Sequence, residues 1–212
     1  MTQFKKFALA TAFIAFTTIN ANALDGQVTF GELPGGTYSV DKNHASITWK
    51  VNHMGLSNYT ARFKKFDADI TIDPIDITRS TVTATIDPNS IETDYVATEQ
   101  EDFNKKLASD KDWFNSVQFP EIKFVSTKVE KTSATTGKIT GNLTLLGVTK
   151  PVVLDATFVG AYKEHPMTKQ PVVGFSAFTK IKRSDFGFKN YIPLIGDEVA
   201  IQIEGEFGKD AL

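Results

Sequence analysis

NHASITWKVNHMG, residues 43–55, decides the fold class. Ala45, Ile47, Trp49 and Val51 alternate with Ser46, Thr48, Lys50 and Asn52, the period of a strand with one dry and one wet face. His53 falls on the dry face, and Gly55 marks the strand's end. Working outward, strand patterns cover residues 38–53, 60–73, 79–88, 121–130, 136–147, 150–162, 170–183 and 197–208. Turn chemistry separates most of them: Asp73-Pro74, Asp87-Pro88-Asn89, Gly147 through Pro151, and Ile195-Gly196-Asp197. Such short connections join antiparallel neighbours. Residues 96–107, rich in helix formers and without alternation, are expected to form one helix, followed by a loop to Pro120.

Several of these strands exceed the usual length of about 5 to 6 residues. Eight long antiparallel strands suggest a tall closed barrel, because closure removes exposed edges. A two-sheet sandwich with a solid core is the alternative. One stripe is consistently apolar: Phe66, Ala68 and Ile70, then Val82 and Ala84, then Ile139, Gly141, Leu143 and Leu145. It continues through Leu154, Ala156, Phe175, Ala177 and Ile201. The opposite face carries Asp67, Asp69, Asn142 and Asp155, as in a sheet wet on one side. Parity slips between Val40 and Ala45 and between Phe63 and Phe66, so bulges or kinks are expected near 41–44 and near Lys64.

Lys5 and Lys6 precede an uncharged run from Phe7 to Ile19, and Ala21-Asn22-Ala23 supplies small residues at alternate positions. That is the pattern of a secretory signal peptide cleaved after Ala23, which leaves residues 24–212 as one exported domain. The run is short of the roughly 20 residues needed to span a bilayer. Without Lys5 and Lys6 there are 21 basic against 25 acidic side chains. A mildly acidic chain with no basic block argues against a nucleic-acid partner. With no cysteine, disulfides, thiol catalysis and cysteine metal sites are excluded.

The remaining inventory is poor in catalytic groups. His44, His53 and His165 have no spacing that sets two metal ligands on one element, so no metal is expected. Ser184-Asp-Phe-Gly187 contains the kinase triplet without a phosphate loop or catalytic loop, and reads as a turn. What is left is an apolar tube. An eight-stranded barrel is just wide enough to be filled by side chains or to hold one slender ligand. The small residues Ala45, Ala68, Ala84, Gly141, Ala156 and Ala177 on the inward stripes argue for room.

The motifs carry a resemblance. Tyr38-Ser-Val-Asp41 with His44, His53-Met-Gly55, Ile91-Glu-Thr93 and Asp112-Trp-Phe114 come first. Phe119-Pro-Glu-Ile-Lys-Phe124, Gly141 through Pro151, Arg183-Ser-Asp-Phe-Gly187 and Ile195-Gly-Asp-Glu-Val199 follow. In this order they resemble the YceI-like family of exported lipid-binding proteins along the whole of residues 24–212. Glu101-Asp-Phe-Asn104 departs from the Arg-Asp with a following His that is common there.

The resemblance implies an all-β, extended, lipocalin-like eight-stranded antiparallel barrel in the periplasm. Its ligand would be a polyisoprenoid, an isoprenoid quinone or another long amphiphile held in the lumen for carriage or sequestration. No catalytic residue and no cofactor is expected, the lipid being the ligand. The expected lining comprises Ile47, Trp49, Val51, Phe66, Ile70, Ala84, Leu143, Leu145, Leu154, Ala156, Phe175 and Ile201. His53 and Arg183 are expected at the polar head. Transient membrane contact and a homodimer are compatible with this reading. An enzyme acting on such a lipid, or a packed barrel working through its outer surface, are the alternatives.

Overall fold

The computed structural model describes residues 26–210 apart from 97 and 100, so the expected signal peptide lies outside the described residues. The strands are β1 (Gly36–His53), β2 (Ser57–Phe63), β3 (Phe66–Ile72), β4 (Thr81–Ile86) and β5 (Ile91–Glu92). They continue with β6 (Ile122–Lys131), β7 (Thr136–Leu145), β8 (Val148–Tyr162), β9 (Val172–Lys182) and β10 (Ile195–Lys209). All pair antiparallel in one sheet, and β10 pairs back onto β1 from Tyr38↔Lys209 to His53↔Ile195. The sheet is therefore a closed barrel and not a sandwich.

The ten strands among the described residues make eight staves, because β4 and β5 both lie along the stave formed by β2 and β3 and together form the next. β2 and β3 are two halves of one stave that both lie along β1, β2 against residues 47–53 and β3 against residues 36–39. The interruption falls at Lys64 and Lys65, where a kink is expected from the parity of Phe63 and Phe66. Its freed backbone groups bond the turn at Pro88–Ser90: Lys64 N donates to Ser90 O at 3.0 Å and Lys65 N to Ser90 Oγ at 2.9 Å. The second slip is also present, as a register shift between Val40 and Ala45.

Helix α1 spans Phe103–Ser109 and not residues 96–107. Its start is fixed by Asp102, whose side chain accepts from Lys105 N at 3.0 Å, satisfying an amide that has no partner within the helix. The departing segment before Leu107 is thus spent on structure: Asn104 Oδ1 accepts from Thr93 Oγ1 at 2.6 Å while its Nδ2 donates to Glu92 at 3.0 Å. Leu107 and Ala108 are the helix's buried face.

The β7–β8 connection is shorter than residues 147–151. Leu146 (φ 51°) and Gly147 (φ 72°) alone make it, both in the left-handed region that suits a two-residue hairpin. A Cβ on Gly147 would stand 2.7 Å from the Phe119 ring, so glycine is required on two counts. Pro151 sits inside β8 opposite Asn142.

Gly141 also differs from expectation. A Cβ there would overlap the Phe124 ring, so the space it leaves is filled by that ring and not by the lumen.

Candidate functional site

Inside the barrel runs a cavity of about 650 Å³, within the range of roughly 300–1,000 Å³ typical of ligand sites. The interior is not solid. Every expected lining residue faces it: Ile47, Trp49 and Val51 from β1, Phe66 and Ile70 from β3, Ala84 from β4, Leu143 and Leu145 from β7. Leu154 and Ala156 from β8, Phe175 from β9 and Ile201 from β10 complete that set, with Arg183 just beyond β9. Alternation places them there, since successive residues of a pleated strand point to opposite faces. Cross-strand alanine pairs, Ala68↔Ala84 and Ala156↔Ala177, hold the lumen open where larger side chains would meet.

The two ends differ. One is ringed by Phe30, Phe158, Phe175 and Phe207, whose neighbouring rings meet edge to face at 6.0–6.4 Å. Around these rings lie the β6–β7 hairpin and the segment Pro74–Ser80. Ile75 on that segment is 96 % exposed while also lining the cavity, which marks this end as a mouth. Asp73 stiffens the rim by accepting from Ile75 N at 3.0 Å and Asp76 N at 2.9 Å.

The other end is plugged by Leu107, Phe114 and Phe188. Phe114 packs on Phe63 at 5.5 Å and on Phe188 at 5.4 Å. Strand alternation carries no information about these side chains. Leu107 belongs to the helix, Phe114 and Phe188 to loops, and only the Asp112-Trp-Phe114 motif hinted at them.

Arg183 closes this end from the β9 side. It begins the turn Arg183–Phe186, which Gly187 ends in the left-handed region at φ 98°, so the Asp-Phe-Gly triplet is a turn. Only 6 % of Arg183 is exposed. Nε donates to Gly196 O at 2.8 Å, and Nη2 donates to Asn190 O at 2.8 Å and Ile195 O at 2.9 Å. Nη1 has no partner among the described residues, and the same is true of Trp49 Nε1 and Tyr59 Oη. Burial pushes the guanidinium's pKa down, with the charge of nearby Asp197 opposing. The Asp197 carboxylate itself is taken by Ser184, from N at 2.8 Å and from Oγ at 2.7 Å.

His53 corrects an expectation. It keeps the inward parity, but the lining of the cavity on β1 stops at Val51. Its ring lies instead 6.3 Å from that of Tyr59, which Phe103 covers edge-on at 6.5 Å. Here β1 and β10 lose register, Val51↔Val199 being followed by His53↔Ile195, and Ile195 takes the lining position that counting along β1 assigns to His53.

Comparison with known proteins agrees with this architecture. The YceI-like domain family matches residues 38–207. A UPF0312 protein of Pseudomonas putida strain W619 is 36 % identical over 161 residues, 75 % of this chain and 80 % of its own length. Among solved structures, the Campylobacter jejuni YCEI protein superposes with a TM-score of 0.64 at 32 % identity, over 76 % of this chain and 91 % of that one. A polyisoprenoid binding domain from Saccharophagus degradans shares the fold, with a TM-score of 0.56 at 12 % identity over 84 % of this chain and all of that domain.

Proposed function

Because the chain belongs to the YceI-like family and encloses an apolar lumen, we propose that it is a non-enzymatic binding protein. Its ligand is a long-chain amphiphile of the polyisoprenoid or isoprenoid-quinone class, carried or sequestered in an exported, periplasmic setting. The observation that carries this reading is the continuous cavity of about 650 Å³. At about 30 Å³ for each methylene-sized group, it admits on the order of twenty such groups. Burying them is worth roughly 16 kcal/mol at about 0.8 kcal/mol each, against an association cost of about 4–15 kcal/mol. The balance is a modest, exchangeable affinity, as carriage requires. The polyisoprenoid-binding domain that shares the fold supports a lipid of this shape, and the family supports binding over catalysis.

The test is native mass spectrometry of the purified protein with organic extraction, followed by uptake of a twenty-carbon isoprenoid alcohol by delipidated protein. One apolar-chain amphiphile per barrel is the expected result. A protein that neither carries nor takes up any such chain overturns the reading.

A further inference from the structure

A guanidinium is the wrong group to place at the end of an apolar tube unless something there needs it. Arg183 is nine-tenths buried, lines the cavity, and makes no ion pair among the described residues. The carboxylate nearest in effect, Asp197, is occupied by Ser184. Three hydrogen bonds to carbonyls consume Nε and Nη2, while Nη1 is left buried without an acceptor. Main-chain carbonyls satisfy hydrogen-bonding geometry but supply no negative charge, and a buried unpaired charge is strongly unfavourable. Nη1 is left to an acceptor oxygen from outside these groups, and an anionic one also balances the charge that Asp197 offsets only in part.

We propose that Arg183 anchors the ligand's head group: the lumen takes an amphiphile ending in an anionic oxygen, phosphate or carboxylate, bound at the plugged end with the tail running toward the aromatic mouth. This rests on the lumen being a lipid site and adds the chemistry and orientation of the ligand. A charge-assisted bond to a fixed planar donor gives direction as well as affinity. Arg183 also holds the carbonyls of Asn190, Ile195 and Gly196, so the segment covering the head and the head itself share one side chain.

Hexadecyl phosphate, palmitate and hexadecanol share one tail and differ only in the head. Their affinities for delipidated protein are measured by calorimetry below their aggregation concentrations. The two anions are expected to bind at least ten-fold tighter than the alcohol, and their ratio identifies the better head. Arg183→Gln is expected to collapse the difference to under two-fold, the anions losing at least five-fold more than the alcohol. A side chain that merely clamps the loop would instead weaken all three alike. Equal binding of the three by wild type overturns the anchor and leaves the lumen site standing; binding of none overturns both. If Arg183→Gln does not fold, judged by circular dichroism, the wild-type series decides alone.

Discussion

Ala156→Trp divides the lumen. Ala156 pairs with Ala177, Ala177 with Ile203 and Ile203 with Ile47, so these four form one cross-strand row of the wall, and all four line the cavity. From Ala177 to Arg183 the chain advances six residues, roughly 20 Å of strand, but to Phe175 of the mouth ring only two, roughly 7 Å. An indole added at that row leaves roughly three-quarters of the lumen on the Arg183 side. A tail of about twenty carbons then forfeits about five methylenes, up to ~4 kcal/mol of transfer free energy at about 0.8 kcal/mol each. Some of that is recovered along the rim, so the expected loss is at least about ten-fold in Kd, or ~1.4 kcal/mol. An amphiphile with a ten-carbon tail should change by less than three-fold. Because the indole enters open space, the thermal midpoint should stay within about 2 °C, whereas overpacking a solid core would cost about 1–3 kcal/mol and shift it further. Calorimetry across a chain-length series, with calorimetric unfolding alongside, reads both quantities. Unchanged long-chain binding, or a drop in stability with no change in binding, refutes the account of an open tube.

Gly147→Val should lower the urea midpoint by an amount equivalent to more than about 1 kcal/mol, since it forces a branched side chain into positive φ and against Phe119. His53→Gln should leave lipid affinity within two-fold at any pH from 5.5 to 8, because the ring lies outside the cavity lining; a larger loss would return His53 to the head-group site. The Asn104 amide, with the Asp94 N–H, holds Glu92 below the usual carboxylate range, and the Asp76 and Ile75 N–H groups do the same for Asp73. Their contribution is complete above the unfolded value near pH 4 and lost as pH falls through the lower folded values. Urea midpoints should therefore fall below about pH 4. His44 has the opposite sign: its hydrogen bond to Asp41 raises its pKa, so its contribution is full below about pH 6.5 and fades as pH rises through the raised value. Asp41→Asn should remove that drift.

The wall of the barrel was legible because alternation is a local property. Counting by twos from Ala45 places Ile47, Trp49 and Val51 inward, and the same count places Leu154 and Ala156. The plug was not legible, because Phe114 and Phe188 are set by loop paths with no period, and Leu107 by a helix whose start depends on one Asp102 cap. His53 failed for a different reason. Parity says which way a side chain points but not where a cavity stops, and that is decided by the register of β10 against β1. Gly141 shows a related limit, since a missing side chain counts as space only when no neighbour fills it, and Phe124 does. Arg183 was legible as a charge at a strand's end; its unpartnered nitrogen emerges only from the full set of contacts.

The seam between β1 and β10 governs how the molecule assembles. Tyr38 pairs with Lys209, so the first long strand finds its last neighbour only when nearly the whole chain exists. Pairing so distant in sequence carries the loop-closure entropy of the entire domain and makes for slow folding. Until it forms, β1 and β10 present open edges, and the apolar stripe that becomes the lumen lies bare on a curved sheet. A lipid that binds only the finished tube draws the equilibrium toward the closed form by mass action. With a lipid in the lumen as proposed, ligand and closure stabilise one another.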